Sequence, residues 1–373
     1  MKNIKTPYYK YNLDLLSKTL DFAKKEADKF KYHIHYALKA NCNTPILEMI
    51  KNKGFGADCV SGNEILKAKE IGFENHQIAF AGVGKSDEEI NIGLENDIFS
   101  FNCESLQELE VINELATAKN KIANISLRIN PNVNAKTHHY ITTGLEENKF
   151  GINMWEMEIV LEILKKSTNL SLKGLHFHIG SQITSLEPFK NLCIRVNEIN
   201  NWFTERNVHL EHLNLGGGLG IDYQNPKENP IPDFKAFFEL FNQFLEPKAN
   251  QEIHFELGRS LVGNCGSLIS KVLYIKEGIK TNFAILDAGM TELIRPALYQ
   301  AYHKIENITS QETETKFYDV VGPICESSDC FGKKIELPIT KRGDLIEIYS
   351  TGAYGEVMAS SYNLREKAES YFC

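Results

Sequence analysis

YHIHYALKAN, residues 32–41, is an apolar, β-rich run that ends in Lys39 and Asn41. Seven further runs of this kind end in small or polar residues: GFGADCVSG (54–62), QIAFAGVG (77–84), DIFSFNCES (97–105), NISLRINPN (124–132), LKGLHFHIGS (172–181), LEHLNLGGG (210–218) and EIHFELGRS (252–260). Stretches with helical periodicity separate them, such as SLQELEVINELATAK (105–119). A strand followed by a helix, repeated eight times, predicts an α/β fold with a parallel (β/α)8 barrel of the TIM type.

After Arg259 the pattern changes to strands joined by turns, with helix expected only from Glu356 onward. The predicted strands are SLISKVLYIKEGIK (267–280), TNFAILDAGM (281–290), KFYDVVGPICES (316–327) and GDLIEIYSTGAYG (343–355). We therefore expect a barrel over 20–261 and a mainly β C-terminal domain over 262–373. The N-terminal segment 1–19, which contains TPYYKYN, is expected to pack with the β domain.

Charge and cysteine content exclude several classes of protein. The 373-residue chain carries a formal net charge of -8, which argues against nucleic acid as a partner because phosphate binding needs a basic surface. Its first twenty residues lack the apolar core of a signal peptide, and no window approaches a membrane span, so we expect a cytoplasmic protein without a membrane partner. Eight cysteines without a CxxC pair predict neither disulfides nor a zinc ribbon, and no metal site is predicted.

Active sites of such barrels lie at the carboxyl ends of the strands. The candidate residues there are Lys39 and Asn41, Asp58 and Ser61, Asn102 and Glu104, Arg128 and Asn130, His178 and Ser181, Gly216 to Gly218, and Glu256 with Arg259. The longest connection runs from Asn132 to about Leu172, and its polar first half is expected to lie over this mouth.

Each chemical signal at the mouth has a plain structural alternative. The glycines of NLGGGLG bring backbone amides close to a phosphate or form an ordinary tight turn. His176 and His178 point the same way off a strand, which fits a metal site, a hydrogen-bonded core residue or a ring stacked on a flat ligand. Glu256 and Arg259 fit an ordinary ion pair. Together with a buried lysine, these groups are the parts needed to hold pyridoxal phosphate.

Seven motifs then resemble, in the same order, those of the diaminopimelate decarboxylase family, which are pyridoxal-phosphate enzymes of the alanine-racemase-like barrel type. The motifs are YALKAN, FHIGSQ, NLGGGLG, FELGRS, RPALYQAYH, CESSD and TGAYG, and the resemblance extends from TPYYKY to SSYNLR. Leu257 and Ser328 stand where the family commonly has proline and glycine. The resemblance implies decarboxylation of meso-2,6-diaminopimelate to L-lysine and CO2, the last step of lysine biosynthesis.

The resemblance also implies a role for individual residues. Lys39 would bind the cofactor aldehyde, His178 would stack on its ring, and Glu256 would face the ring nitrogen. The whole cofactor-binding set is Lys39, Asp58, His178, Ser181, Gly217, Gly218, Glu256, Gly258, Arg259 and Tyr354, in which Ser181, Gly217, Gly218 and Tyr354 would hold the phosphate.

Substrate binding is implied for Arg259, Arg295, Tyr299, Glu326 and Tyr354. The arginines and Tyr299 would bind carboxylate, and Glu326 would contact the distal ammonium. Cys325 would donate a proton, so the catalytic pair is Lys39 and Cys325. Cys325 and Glu326 would come from a partner subunit, which implies a homodimer with a shared active site.

Three alternatives remain at this point. A decarboxylase of ornithine, arginine or a carboxylated polyamine would have the same fold, but a plain amine at the distal end favours acids where Arg295 stands. An alanine-type racemase needs two opposed bases. The cysteine in CESSD better fits a single proton donor that acts after decarboxylation. A non-catalytic pyridoxal-phosphate carrier would lack the β domain or the lysine and cysteine motifs, all of which are present here.

Overall fold

A computed structural model describes residues 4–133 and 149–373. The chain divides into two compact units. One consists of Leu20–Gly220 and Asp233–Gly258, and the other of Met1–Thr19, Ile221–Pro232 and Arg259–Cys373. Residues 221–232, which the sequence analysis kept in the barrel, belong to the second unit. Whether 20–261 and 262–373 are the limits of separate domains remains a prediction.

The first unit is a closed parallel barrel, as predicted. Strand β1 (Tyr8–Tyr11) belongs to the second unit, and the barrel strands follow it along the chain. They are β2 (His33–Ala37), β3 (Gly56–Cys59), β4 (Ile78–Phe80), β5 (Ser100–Cys103), β6 (Ala123–Arg128), β7 (Leu170–His176), β8 (His212–Asn214) and β9 (Glu252–Leu257). Neighbours pair in this order, and β9 pairs back with β2. The eight predicted runs thus each overlap one barrel strand, and β6 and β7 begin one and two residues before their runs.

In the described residues, the first eight helices alternate with these strands, and two short helices lie in the second unit. They are α1 (Leu13–Asp28), α2 (Thr44–Asn52), α3 (Gly62–Ile71), α4 (Asp87–Glu95), α5 (Leu106–Ala118), α6 (Met157–Lys166), α7 (Glu187–Glu205), α8 (Phe234–Phe244), α9 (Arg259–Val262) and α10 (Arg295–Tyr299). Serine side chains begin α3 and α5 by accepting the backbone N–H three residues on, at Ser61 and Ser105. These caps fix where the chain leaves the carboxyl end of a strand.

Strand β9 shows how the barrel wall separates apolar from polar side chains. Phe255 points outward and contacts Phe237, Phe238 and Phe241 of α8, with ring centroids 4.9–5.5 Å apart. Burying each such ring contributes about 1.5–3 kcal/mol to folding. Because side chains alternate along a strand, Glu252, His254 and Glu256 all share the opposite, inward face.

The barrel interior is polar at mid-height, where aliphatic residues are more usual. His35 Nε2 lies 2.9 Å from His254 Nδ1, and Ser126 Oγ lies 2.8 Å from His212 Nε2. Ser100 completes the second group, with its Oγ 2.7 Å from that of Ser126. All five side chains are buried, so their polar atoms depend on these mutual hydrogen bonds.

The second unit is mainly β, as predicted. Its later strands are β10 (Gly266–Glu277), β11 (Asn282–Leu286), β12 (Ile305–Asn307), β13 (Thr315–Val321), β14 (Cys330–Pro338), β15 (Leu345–Ile348) and β16 (Glu369–Phe372). The sheet order is β12-β15-β10-β11-β13-β14, and β1 pairs with β10 and β16. The short strand β1 is therefore part of this sheet.

Three expectations need comment. The helix expected after Glu356 is wrong, since that segment contains only short 3-10 turns and β16. The expectation of a loop over the mouth falls largely on residues 134–148, outside the described residues. Every helix within residues 4–133 and 149–373 is too short or too polar to cross a lipid bilayer.

Candidate active site

The carboxyl end of the barrel interior is organised around the buried carboxylate of Glu256. Its Oε2 accepts a hydrogen bond from His176 Nε2 at 2.8 Å. Its Oε1 accepts from Asn214 Nδ2 at 2.7 Å and from Asn102 Nδ2 at 3.1 Å. Burial alone would raise the pKa of this carboxyl, but His176 and the charge of Lys39 outweigh burial and hold the pKa well below its ordinary value. Glu256 is therefore ionised, and its position is fixed from three sides.

Lys39 lies just beyond β2, in a short 3-10 turn over Leu38–Ala40. Its Nζ is 3.5 Å from Oδ2 of Asp58 on β3, whose side chain is fully buried. The Lys39 side chain is 39 % exposed, so the expectation of a buried lysine is wrong for the chain alone. Burial, followed by the charge of Glu256, raises the pKa of Asp58 well above its ordinary value, while Lys39 opposes this rise. Asp58 Oδ1 has no hydrogen-bond partner among the described residues.

His178 follows β7 and supplies a half-buried, neutral ring. Burial first, then the charges of Arg128 and Lys39, lower the pKa of His178 well below its ordinary value. Its Nδ1 accepts the backbone N–H of Gly217 at 3.4 Å. A neutral imidazole without a bound cation can stack on a flat, electron-poor ring.

The glycine turn after β8 fits closely against neighbouring backbone. A Cβ at Gly217 would lie 1.9 Å from the carbonyl oxygen of Glu256. Gly218 has φ +113°, and a Cβ there would lie 2.7 Å from the carbonyl oxygen of Gly180, next to Ser181. Both positions therefore require glycine, and they bring the turn alongside the loop that carries His178 and Ser181.

A buried ion pair borders this end of the barrel. Arg128 at the end of β6 donates to Glu104 at 2.8 Å, and its guanidinium lies 4.7 Å from the ring centroid of Phe150. Glu104 also accepts the backbone N–H of Gly82 at 2.9 Å and of Gly151 at 3.3 Å. These contacts fix the positive charge that keeps His178 neutral.

The second unit contains a cluster of two buried arginines. Arg259 and Arg295 donate to the same hydroxyl, that of Tyr223, at 2.5 Å and 2.7 Å. Arg295 also lies 2.9 Å from His303 Nε2, and its own Nε has no hydrogen-bond partner within the described part of the chain. Within residues 4–133 and 149–373, the side chains that hydrogen-bond to Arg295 are the Tyr223 hydroxyl and the His303 ring, both of which are neutral. Two buried cations with a neutral bridge favour an anionic ligand.

The remaining predicted substrate residues surround this cluster or lie on a separate loop. The Tyr354 ring centroid is 4.8 Å from the Arg259 guanidinium, and Tyr299 ends α10, the helix that Arg295 begins. Cys325 and Glu326 are exposed, and Glu326 accepts a hydrogen bond from Tyr362 at 2.8 Å. Ser328 does not adopt a positive φ, so serine there causes no left-handed strain. Leu257 is fully buried in β9, and Gly258 follows it.

The sequence analysis missed several members of these groups. Asn102 was only a strand-end candidate and His176 had several possible roles, so neither was assigned to Glu256. Asn214, Tyr223 and His303 had no role at all. The signal for Asn214 is present: it stands two residues after His212 on an apolar strand, which places both side chains on the inward face. The shared hydroxyl of Tyr223 joins distant parts of the sequence and leaves no such pattern.

Together the barrel residues suit a phosphorylated pyridine aldehyde. An ionised carboxylate with three donors retains acceptor capacity for a protonated ring nitrogen. The carboxylate of Asp58, whose Oδ1 has no hydrogen-bond partner among the described residues, lies beside the amine of Lys39, and the charge of Lys39 helps to lower the pKa of Glu256. The donor set therefore fits pyridoxal phosphate.

Comparison with known proteins defines the class. The sequence family described as pyridoxal-dependent decarboxylase, pyridoxal binding domain, matches residues 13–263. Fold, site and this match together define a pyridoxal-phosphate-dependent carboxy-lyase, which confirms the predicted enzyme class and cofactor.

Relatives narrow this class. The chain is 57% identical over 371 residues to diaminopimelate decarboxylase of Bacteroides thetaiotaomicron, covering 99% of this chain and 96% of the relative. It is similar to the crystal structure of diaminopimelate decarboxylase from Helicobacter pylori complexed with L-lysine, with a TM-score of 0.93, 42% identity and coverage of 100% and 92%. The enzyme of M. jannaschii in co-complex with L-lysine gives a TM-score of 0.90 at 36% identity, covering 99% and 87%. The chain belongs to the diaminopimelate decarboxylase family, as its motifs predicted.

Proposed function

We propose that this chain removes CO2 from meso-2,6-diaminopimelate and releases L-lysine, the last step of lysine biosynthesis. The observation that carries the proposal is the pair of buried arginines at Tyr223, because Arg295 has no carboxylate partner of its own in the described chain. A substrate with a second carboxylate supplies an anion for Arg295. The names of the relatives support the same substrate over ornithine, arginine or a carboxylated polyamine.

The barrel residues prepare the reaction. When bound, pyridoxal phosphate supplies a ring that accepts the electron pair released as the bond to the departing carboxylate breaks. Glu256 holds a proton on the ring nitrogen, because its carboxylate is ionised and fixed by three donors. Lys39 contributes the primary amine that bonds to the aldehyde, and Asp58 holds this amine in place. His178 stacks on the ring.

Residues in the loops after the barrel strands and in the second unit bind the cofactor phosphate and the substrate. We assign the phosphate to the N–H groups of Gly217 and Gly218 and to the hydroxyl of Ser181, with Gly258 and Tyr354 completing the cofactor contacts. Arg259, Arg295 and Tyr299 bind substrate carboxylate, because a guanidinium binds a carboxylate through two parallel hydrogen bonds. Tyr354 positions the substrate beside Arg259, whose guanidinium lies 4.8 Å from its ring.

A second copy of the chain completes the site in this proposal. Cys325 donates a proton to the substrate carbon after CO2 leaves, and Glu326 binds the distal ammonium. Both side chains are exposed on their own chain, which leaves them available to a partner. The working unit is thus a homodimer with two shared sites.

The cytoplasm is the proposed compartment. Cys325 and Cys373 are exposed thiols and Cys330 is half-buried, so oxidants can reach them. Free thiols of this kind persist in a reducing compartment.

A product assay tests the substrate. The purified enzyme with pyridoxal phosphate is given meso-diaminopimelate, ornithine, arginine and lysine at equal concentrations, and released CO2 and product amines are measured. We expect CO2 and L-lysine from meso-diaminopimelate, with much slower reaction of the three substrates that lack a second carboxylate. Activity on ornithine alone would overturn the assignment.

Mixing two inactive variants tests the shared site. Lys39→Ala and Cys325→Ala are each expected to be nearly inactive as homodimers. Random exchange of subunits at equal amounts should restore about a quarter of wild-type activity, because half of the dimers then carry one intact site. Mass spectrometry shows whether the subunits have exchanged. If mixed dimers form but no activity is recovered, Cys325 does not come from the partner subunit.

A further inference from the structure

Three side chains with metal-binding atoms meet at the amino end of the barrel, away from the carboxyl-end residues assigned above. They are His33 at the start of β2 and Glu252 and His254 on β9. One ligand atom from each lies within 4.8 Å of the others. His33 and Glu252 are exposed, whereas His254 is buried.

Strand geometry explains why these three meet. Glu252 and His254 are two residues apart on one strand, so their side chains share a face. β2 and β9 are parallel neighbours in which His33 is paired with His254. The two imidazole rings consequently stack, with centroids 4.8 Å apart and 21° between their planes.

The two nitrogens of His254 have different surroundings. Nδ1 lies 2.9 Å from Nε2 of His35, inside the barrel. Nε2 has no hydrogen-bond partner among the described residues, although the side chain is only 4% exposed. Glu252 Oε2 lies 3.4 Å from this nitrogen. A buried imidazole nitrogen that has no hydrogen bond among the described residues and lies near a carboxylate is an available ligand.

These groups border a cavity of about 620 Å³. Its wall also contains Lys24, Lys31 and Asp28, so the charge of the cavity is mixed and does not by itself attract cations. Selectivity must come from the ligand atoms themselves, two imidazoles and one carboxylate. The cavity is wide enough for water to complete a coordination shell.

We propose that His33, Glu252 and His254 bind one divalent transition-metal ion of the zinc type at the amino end of the barrel. Imidazole nitrogen suits Zn²⁺, Co²⁺ and Ni²⁺, whereas Mg²⁺ and Ca²⁺ require a shell of oxygen ligands. Two histidines and one glutamate leave the fourth position of a tetrahedral ion to water from the cavity.

The distances agree with this coordination. Bonds of about 2.0–2.1 Å to a tetrahedral ion separate neighbouring ligand atoms by about 3.4 Å. His254 Nε2 and Glu252 Oε2 are already 3.4 Å apart. The ligand nitrogen of the exposed His33 lies within 4.8 Å of the other two atoms, so binding requires it to move closer by at most about 1.4 Å. The ion then links the first and the last strand of the barrel.

Cobalt titration tests the site. Tag-free, full-length enzyme loaded with cofactor is treated with chelator, dialysed and titrated with Co²⁺, whose visible bands report its ligands. We expect one Co²⁺ per chain, displaced by Zn²⁺. His33→Ala and Glu252→Gln should each weaken binding at least about tenfold, since loss of an outer-shell partner alone costs that much.

His76→Ala is the matched control, because His76 lines the same cavity outside the three-residue set. It should bind Co²⁺ like the wild type. The tested side chains are exposed, so the variants should unfold at the wild-type temperature without metal. Wild-type protein that retains no Co²⁺, or wild-type affinity in either variant, would refute the proposal. Absorption bands typical of Co²⁺ bound to thiolate would show that the ion binds at cysteines, which would also refute the proposal.

Discussion

The two ends of the barrel interior use the same strand in different ways. On β9, Glu252, His254 and Glu256 share the inward face from the amino end to the carboxyl end. At the carboxyl end, Glu256 is buried and accepts hydrogen bonds from three side chains. At the amino end, Glu252 is 60% exposed, and a nitrogen of the neighbouring His254 has no hydrogen bond to the residues that the structure describes.

This difference shows that the surroundings, rather than the residue type, decide what a carboxylate can do. His176 and two asparagines hold the Glu256 carboxylate ionised in one position, which suits a fixed charge beneath a cofactor. Glu252 is largely exposed to solvent, which suits an exchangeable ligand. The following experiments test whether function follows this division.

Lys39→Ala should have the largest effect, because it removes the amine that bonds to the cofactor at the carboxyl end. We expect kcat to fall at least about 10³-fold, since a covalent residue has no substitute in the site. CO2 release measures kcat, and borohydride reduction with peptide mapping should no longer label the segment around residue 39. Lys67→Ala, at an exposed pair with Glu70 on α3, is the control and should leave kcat unchanged. Persistent labelling at another lysine would remove Lys39 from its role.

Glu256→Gln should lower kcat by about 10²-fold, because a neutral amide cannot hold the proton on the ring nitrogen. The matched substitution Glu211→Gln lies just before β8 at the amino end, on a side chain 68% exposed, and should not change kcat. Steady-state CO2 release at saturating substrate compares the two. An equal effect of both substitutions would contradict the division between the barrel ends.

Asn214→Ala should destabilise the folded chain by about 1.5–3 kcal/mol, because it removes a hydrogen bond to a buried charge. His33→Ala in the presence of chelator should stay within about 0.5 kcal/mol of the wild type, as an exposed side chain. Urea unfolding followed by far-UV circular dichroism gives both values. If His33→Ala lowers the free energy of unfolding as much as Asn214→Ala does, the side chains at the two ends contribute equally to stability, which contradicts the proposed difference.

Asp58→Asn should change how stability depends on pH. Burial first raises the folded-state pKa of Asp58, so the folded chain binds this proton more tightly than the unfolded chain. The resulting stability is present below about pH 4 and is lost as pH rises through the raised pKa. Between about pH 5 and about pH 8, cofactor-free Asp58→Asn should therefore lose less stability than the wild type. Asp14→Asn, on the exposed face of α1, should follow the wild type; a steeper loss in Asp58→Asn would show the opposite sign of shift.

Most of the barrel could be predicted, because each strand is a short β-rich run with a polar end and a helix after it. The same rule brought Lys39, Asp58, His178 and Glu256 to one end, where the structure also places them. Side chains that act through contacts from distant segments left no local signal. Tyr223 joins Arg259 and Arg295 through a single hydroxyl, and no spacing in the sequence encodes that meeting.

The amino end escaped prediction for a different reason. Active sites of parallel barrels lie at the carboxyl ends of the strands, whereas His33 and Glu252 begin their strands at the opposite end. No site was therefore predicted there. The helix expected after Glu356 is interrupted twice: Ala359 is extended, and Asn363 has a positive φ. Propensity alone did not reveal this.

The hydrogen-bonded layer of His35, His254, Ser100, Ser126 and His212 has a thermodynamic consequence. Exposing polar surface on unfolding lowers the heat-capacity change, whereas exposing aliphatic surface raises it. A barrel that fills its mid-height with imidazoles and hydroxyls therefore has a smaller heat-capacity increment than one filled with valine and isoleucine. Its stability varies less steeply on either side of the optimum temperature, so the barrel tolerates both cooling and warming with a flatter stability curve.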